Sequence, residues 1–166
     1  RAVILATGGS GQLRLQGFPT SNHVGATGDG LVLAYRQGCR LVLLDSYQYH
    51  PSGACYPEAL AGQLVTEAIR SAGGQVVNAD GIHFISEMAY RDVLAGAIIK
   101  ETREGRGVTT PTGKKGVWLD TPMVDLKNGE GTLAKQFPGL IHRFKRYDID
   151  PAKTPILIYP TLHYQN

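Results

Sequence analysis

Twenty-one glycines spread along 166 residues constrain this chain more than any other feature. They call for many turns, or for main chain that comes close to a ligand. The runs between them read as short elements. Residues 1–6 form an apolar run that reads as a buried strand entering Thr7-Gly8-Gly9-Ser10-Gly11. Thr27-Gly28-Asp29-Gly30 opens a short helix over residues 31–35, stopped by Gly38. Residues 41–44 and 47–49 read as strands. Residues 60–71 fit a short helix ended by Gly73-Gly74, and a strand follows over 75–78. The clearest helix is 91–103, with Leu94, Ala97, Ile98 and Glu101 at three- and four-residue spacing. A strand over 117–120, a helix over 133–146 in two pieces around Pro138, and a strand over 156–159 complete an α+β pattern.

The composition is that of an ordinary globular protein, with 42% hydrophobic and 19% charged residues. One domain of this length buries roughly 70% of its unfolded surface. The net charge of +3 is dispersed, so no basic face for nucleic acid or an anionic membrane is expected. The apolar runs at 2–6 and 41–44 fall far short of the roughly 20 residues of a membrane span. Cys39 and Cys55 form no C-x-x-C pair and read as two buried free thiols. The five histidines show no H-x-x-x-H pattern, and no metal is expected. Arg1 enters a strand at once and Asn166 carries no cap or polar tail, so both ends read as cut.

Chemistry concentrates in two acid-base clusters 21 residues apart, Glu67 with Arg70 and then Arg91-Asp92. His50, Thr66 and His163 are candidate donors to carboxylates, which makes the set suited to a small dianion. Each signal also has a plainer reading. Glu67 and Arg70, three apart on a helix, are a surface ion pair worth a few tenths of a kcal/mol. His50 and His163 are satisfied buried histidines. A tight turn accounts for Thr7-Gly8-Gly9, because reading G-x-G-x-x-G from Gly9 puts Arg14 where the last glycine belongs. Asp29 is an N-cap or first-turn acid.

Taken in order, the segments resemble the flavoprotein subunits of fumarate reductase and succinate dehydrogenase. That family carries an A-T-G-G loop, T-G-D-G before a helix, a Q-F-H-P-T-G-like segment, L-V-T-E-x-x-R-G-E-G-G, R-D before a helix, and P-T-x-H-Y. The counterparts are residues 6–9, 27–30, 48–53, 64–74, Arg91-Asp92 and 160–164. Tyr49 and Ser52 replace the usual Phe and Thr, and Ser71-Ala72 replaces Gly-Glu.

The resemblance implies a substrate-capping domain over 51–155, flanked by FAD-binding-domain pieces at 1–50 and 156–166. It implies that Thr7, Gly8, Gly9 and Asp29 contact FAD, and that His50, Thr66 and His163 hold fumarate or succinate. Arg91 would protonate one carbon as flavin N5 delivers hydride to the other, and Glu67 and Arg70 would return a proton to Arg91. The pyrophosphate-binding glycine fingerprint would precede Arg1, and a second carboxylate-binding arginine would follow Asn166. The isolated piece is therefore expected to hold FAD weakly or not at all. An iron-sulfur electron-transfer subunit is the implied partner. The cytoplasm or the cytoplasmic membrane face is the first expectation for its location, the periplasm the second. Two alternatives stay open: amine oxidation of the L-aspartate oxidase kind, and a non-enzymatic dicarboxylate-binding module.

Overall fold

The β-branched and aromatic run Ile156–Tyr164 forms the strand β5, about which the sheet is arranged. It continues past Tyr159, where the sequence suggested an end. On one side it pairs antiparallel with β1 (Gln48–Ala54), and on the other with β4 (Lys115–Asp120). β4 in turn pairs antiparallel with β2 (Gln75–Val77), giving the order β1-β5-β4-β2, and β3 (Val108–Thr109) pairs with β4 off this path. Pro51 and Pro160 both lie within the register break between His50 and Gly53, where neither missing N–H costs a ladder hydrogen bond. The computed structural model describes residues 2–11, 17–23 and 25–164. Arg1, Arg14 and Asn166 lie outside the described residues.

Alternation along β5 separates two apolar clusters. Ile156 and Ile158 join the main core with Ile69, Leu94, Ile98, Leu119, Leu133 and Phe144. Leu157 and Tyr159 join a smaller one with Cys55, against Phe18 and Trp118. The main core is closed by helices α2 (Ala68–Ser71), α3 (Arg91–Arg103), α4 (Pro122–Asn128), α5 (Thr132–Gln136) and α6 (Pro138–Lys145). The helix expected around Pro138 is thus two helices, because proline accepts the first position of a helix but not its interior. The Asp125 carboxylate accepts the Leu133 N–H at 2.6 Å and the Gly131 N–H at 3.1 Å, tying α4 to the start of α5.

Four expectations need correction. Residues 2–9 form no strand, and Val3 and Ile4 are 87% and 90% exposed, because no partner strand lies beside them among the described residues. Residues 41–44 form no strand: Leu43 at φ 54° precedes a turn at 44–45, and Val42, Leu43 and Leu44 are exposed. Cys39 is exposed on this same coreless segment, whereas Cys55 is buried, and both thiols are free. Residues 60–71 are not one helix. A 3-10 turn, Glu58–Leu60, is followed by Gly62 at φ 84°, and the chain then runs extended until α2. The reason is nonlocal hydrogen bonding: Ala54 N–H donates to the Gln63 carbonyl at 2.8 Å, and Val65 N–H to the Ser52 carbonyl at 2.9 Å.

The first helix, α1 (Asp29–Arg36), forms as expected, with Gly38 beyond its end at φ 78°. Gly30 packs so closely on the Thr7 side chain that a Cβ there would overlap it.

Burial divides the chain sharply, and this sets the expected effects of truncation. Phe144→Ala should destabilise the folded chain by about 3–5 kcal/mol. Val3→Ala should change stability by less than about 0.5 kcal/mol. Urea midpoints of the two variants at unchanged m-value would check this, and similar midpoints would contradict the placement of the core.

Candidate active site

Three backbone features bring the polar residues together. The β1–β5 pairing places His50 opposite Thr161, so that the His50 and His163 rings lie 5.1 Å apart. The extended stretch beside β1 delivers Thr66 and Glu67, and Glu67 then opens α2. The third is α3, which starts at Arg91 and packs across β1. Residues far apart in sequence thereby meet at one end of the sheet.

Glu67 is the hub. Its carboxylate accepts two hydrogen bonds from Arg91, Nη2 to Oε1 at 2.8 Å and Nε to Oε2 at 3.1 Å. Arg70 Nη2 reaches the same Oε2 at 3.5 Å, and His50 Nε2 lies 3.9 Å from it. Arg91 Nη1 also donates to Gln48 Oε1 at 3.0 Å. These contacts use three of the five N–H groups of Arg91 and leave one each on Nη1 and Nη2. Arg70 is buried, and it donates through Nε to Ser52 Oγ at 3.2 Å and through Nη1 to the Glu87 carbonyl.

The histidines are held as neutral donors. His50 is 2% exposed, and its Nδ1 accepts the Ser52 backbone N–H at 3.2 Å. In the neutral ring the proton therefore sits on Nε2. Burial, followed by the charge environment of His163, Arg91 and Arg70, lowers the His50 pKa to about 4. Burial and then Arg91 lower that of His163 as well, whose Nδ1 lies 3.0 Å from Ser21 Oγ. Hydrogen bonding to Arg91 holds the Glu67 carboxyl below its ordinary range. Arg91 is raised by the same bond, whereas burial lowers Arg70. Glu67 and Arg91 side chains are 46% and 36% exposed, so solvent screens their attraction and the pair orients more than it stabilises.

The structure thus assembles His50, Glu67, Arg70, Arg91 and His163. Thr66 is exposed beside Glu67, and its Oγ1 accepts the Ala68 N–H at 3.3 Å, a helix-start contact. Thr7, Gly8, Gly9 and Asp29 gather instead where the glycine loop meets the start of α1, with Ser10 bridged to Thr27. Gln48, Ser52, Ser21 and the Glu87 carbonyl were not singled out from sequence. Gln48 and Ser52 had a signal, since both lie two residues from His50 along an extended segment. A groove lined by Leu43, Tyr47, Tyr49, Arg91, Ala95 and Ile99 passes the cluster and shares Arg91 with it. It contains neither histidine, so the chemistry is assigned to the polar cluster. Among the described residues, no group of three or more His, Cys, Asp or Glu side chains is placed to hold a metal ion. No helix of the described residues is long and apolar enough to cross a membrane.

The depressed histidine pKa gives stability a sign with pH. Between pH 6.5 and about 4 the unfolded chain binds a proton at His50 that the folded chain does not. Stability is thus fully present above pH 6.5 and falls as pH drops through that window, with His163 acting in the same direction. His50→Asn should flatten this fall. Urea unfolding across that pH range measures it, and an unchanged slope would remove His50 as the cause.

Comparison with known proteins identifies the family. The model of the FAD binding domain family matches residues 1–166. An FAD-dependent oxidoreductase of Methanocaldococcus jannaschii is 38% identical over 99% of this chain and 29% of its own length. L-aspartate oxidase 1 of Ralstonia nicotianae is 34% identical over 98% of this chain and 29% of its own. Among solved structures, the E. coli quinol fumarate reductase aligns with a TM-score of 0.78 at 32% identity, over 96% of this chain and 28% of that one. The chain therefore spans under a third of the length of these relatives. It belongs to the family of FAD-dependent oxidoreductases that includes fumarate reductase and succinate dehydrogenase flavoprotein subunits and the L-aspartate oxidases.

Proposed function

We propose that this chain supplies the substrate-holding and proton-handling groups of an FAD-dependent enzyme that interconverts fumarate and succinate. One observation carries the reading: a single carboxylate, Glu67, bridges Arg91 and Arg70 beside two histidines kept neutral. Residues 51–155 are assigned to the cap and 1–50 and 156–166 to the FAD domain, with an iron-sulfur subunit as electron partner.

The cofactor fits the residues present in part. The Thr7-Gly8-Gly9 main chain is open, since a Cβ at Gly8 would meet nothing within 4 Å, and the Asp29 side chain is exposed beside it. Those residues would hold an edge of FAD, which when bound supplies the hydride in one direction and accepts it in the other.

Everything else falls to side chains. Neutral His50 and His163 donate to the carboxylates of the dianion, with Thr66 at the margin, while Arg91 and Arg70 provide the positive charge. Once one alkene carbon has gained hydride, its neighbour carries a carbanion conjugated to a carboxylate. Arg91 transfers a proton from Nη to that carbon and becomes neutral. It regains the proton through Glu67, which draws on Arg70, and a proton from water restores Arg70. The Glu67 bond raises the proton affinity of Arg91, so transfer relies on the far greater basicity of the carbanion, and recharging follows readily. Succinate oxidation runs the same steps backward. The competing reading is oxidation of L-aspartate by the same groups, supported by the 34% identical relative of that name. Ammonia release from L-aspartate against reduction of fumarate separates the two.

In the full-length flavoprotein, Arg91→Gln should lower kcat for fumarate reduction by about 10²–10⁴-fold. KM and FAD content should change little, because the lost interaction belongs to the transition state. Wild-type kcat in this variant would dismiss the acid assignment. Glu67→Gln should slow the same step. A Glu67→Gln/Arg91→Gln double variant should be little worse than Arg91→Gln alone, and losses that simply multiply would contradict a shared relay.

A further inference from the structure

β4 pairs with β5 only as far as Ile158, and residues 19–21 pair with β5 further along. The Leu162 N–H donates to the Pro19 carbonyl at 2.9 Å, the Ser21 N–H donates to the Leu162 carbonyl at 2.9 Å, and Thr20 forms a parallel bridge with Leu162. These main-chain bonds hold Ser21 in place without help from its side chain, and its hydroxyl lies 3.0 Å from His163 Nδ1. The hydroxyl proton has two acceptors in reach. The Leu162 carbonyl is the poorer one, at 3.4 Å and already engaged by the Ser21 N–H. The proton therefore goes to Nδ1, and the neutral ring carries its own on Nε2. His50 reaches the same state by another route, because its Nδ1 accepts a main-chain N–H, which can only donate. A hydroxyl can donate or accept, so at His163 the tautomer depends on this one side chain being there to donate.

We propose that Ser21 is a positioning residue that sets specificity: its hydroxyl holds His163 as an Nε2–H donor, so that this end of the site takes a carboxylate in preference to a carboxamide. The substrate part rests on the function proposed above; the tautomer does not. An N–H aimed at a carboxylate oxygen makes a charge-assisted hydrogen bond, which a neutral amide cannot match. Without the hydroxyl the ring also populates its Nδ1–H form. The Nε2 lone pair of that form repels a carboxylate oxygen and accepts an amide N–H, so discrimination between the two groups weakens.

The test uses the full-length holoenzyme with 15N-labelled histidine, the His163 signals being assigned by their loss in His163→Asn. In the wild type Nδ1 should read as unprotonated and Nε2 as protonated. In Ser21→Ala the two signals should move toward one another as the tautomers mix. KM for fumarate should rise about 5-fold with kcat within about 2-fold, because a ground-state hydrogen bond is lost and the proton relay is untouched. The preference for fumarate over its half-amide, measured as a ratio of kcat/KM, should fall by at least about 5-fold. Ser21→Thr, which keeps the hydroxyl, should restore all three readings. If Ser21→Ala gives no folded holoenzyme, Ser21→Cys, whose thiol is a weaker donor in the same place, should show a smaller mixing of the same signals. Unmixed tautomers in the Ala variant, an unchanged preference for fumarate, or a Thr variant as impaired as Ala overturns the proposal. If the wild-type enzyme turns over neither fumarate nor succinate, the functional reading falls, while the 15N signals still decide what Ser21 does to His163.

Discussion

The seam between β1 and β5 is the contact on which the site depends. Gly53 sits against Thr161, where a Cβ would overlap the threonine methyl. That close approach fixes Gly53 opposite Tyr159 before the register break and His50 opposite Thr161 after it. A slip of one residue would turn His50 to the other face and part it from His163. The seam has a cost. The Thr161 hydroxyl is buried without a hydrogen-bond partner among the described residues, a penalty of about 1–3 kcal/mol. The same strand keeps its apolar residues in two cores, so the alignment is enforced by packing far from the polar end.

Electrostatically, the site divides labour by permanence of charge. Burial and two arginines suppress protonation of His50, so near neutral pH the histidines donate hydrogen bonds without adding charge. The formal charge of the cluster then comes from Arg91, Arg70 and Glu67, and it does not vary across the physiological range. A dianion meeting it finds fixed cations and neutral donors. Protonated histidines would bind the dianion more tightly in its ground state, an advantage that does nothing for the barrier.

What could be read from sequence follows from how local each element is. The helix Arg91–Arg103 was legible because its period and its glycine stop lie within one segment. The break at Pro138 was legible for the same reason. The stretch before α2 was not, because its hydrogen bonds go to Ser52 and Ala54 rather than along its own axis. Apolar runs at 2–6 and 41–44 resembled strands, but a strand is made by its partner and none adjoins them among the described residues. The site shows the same contrast. Spacing linked Glu67 to Arg70, yet the stronger bond of Glu67 is the two-point one to Arg91, across 24 residues. Only the ordered set of motifs pointed to that meeting, and no local signal assigned contacts to Ser21 or the Glu87 carbonyl.

The exposure of Glu67 and Arg91 bears on how such a relay can work. At 46% and 36% exposure, water would compete for the carboxylate and offer protons of its own. Interaction between unit charges 4 Å apart is only about 1 kcal/mol in bulk water and about 4 kcal/mol at an effective dielectric near 20. A relay that discriminates between Arg91 and solvent therefore needs its open side covered while the proton moves. Among the described residues of the segment 2–47, Phe18 packs against the smaller core, whereas Val32, Leu33, Tyr35 and Val42 are exposed. The relatives this chain matches are more than three times its length. Under the proposed function, one closure answers both needs: polypeptide that packs on this apolar segment would also exclude water from the arginine pair, making chemistry conditional on the cap being shut.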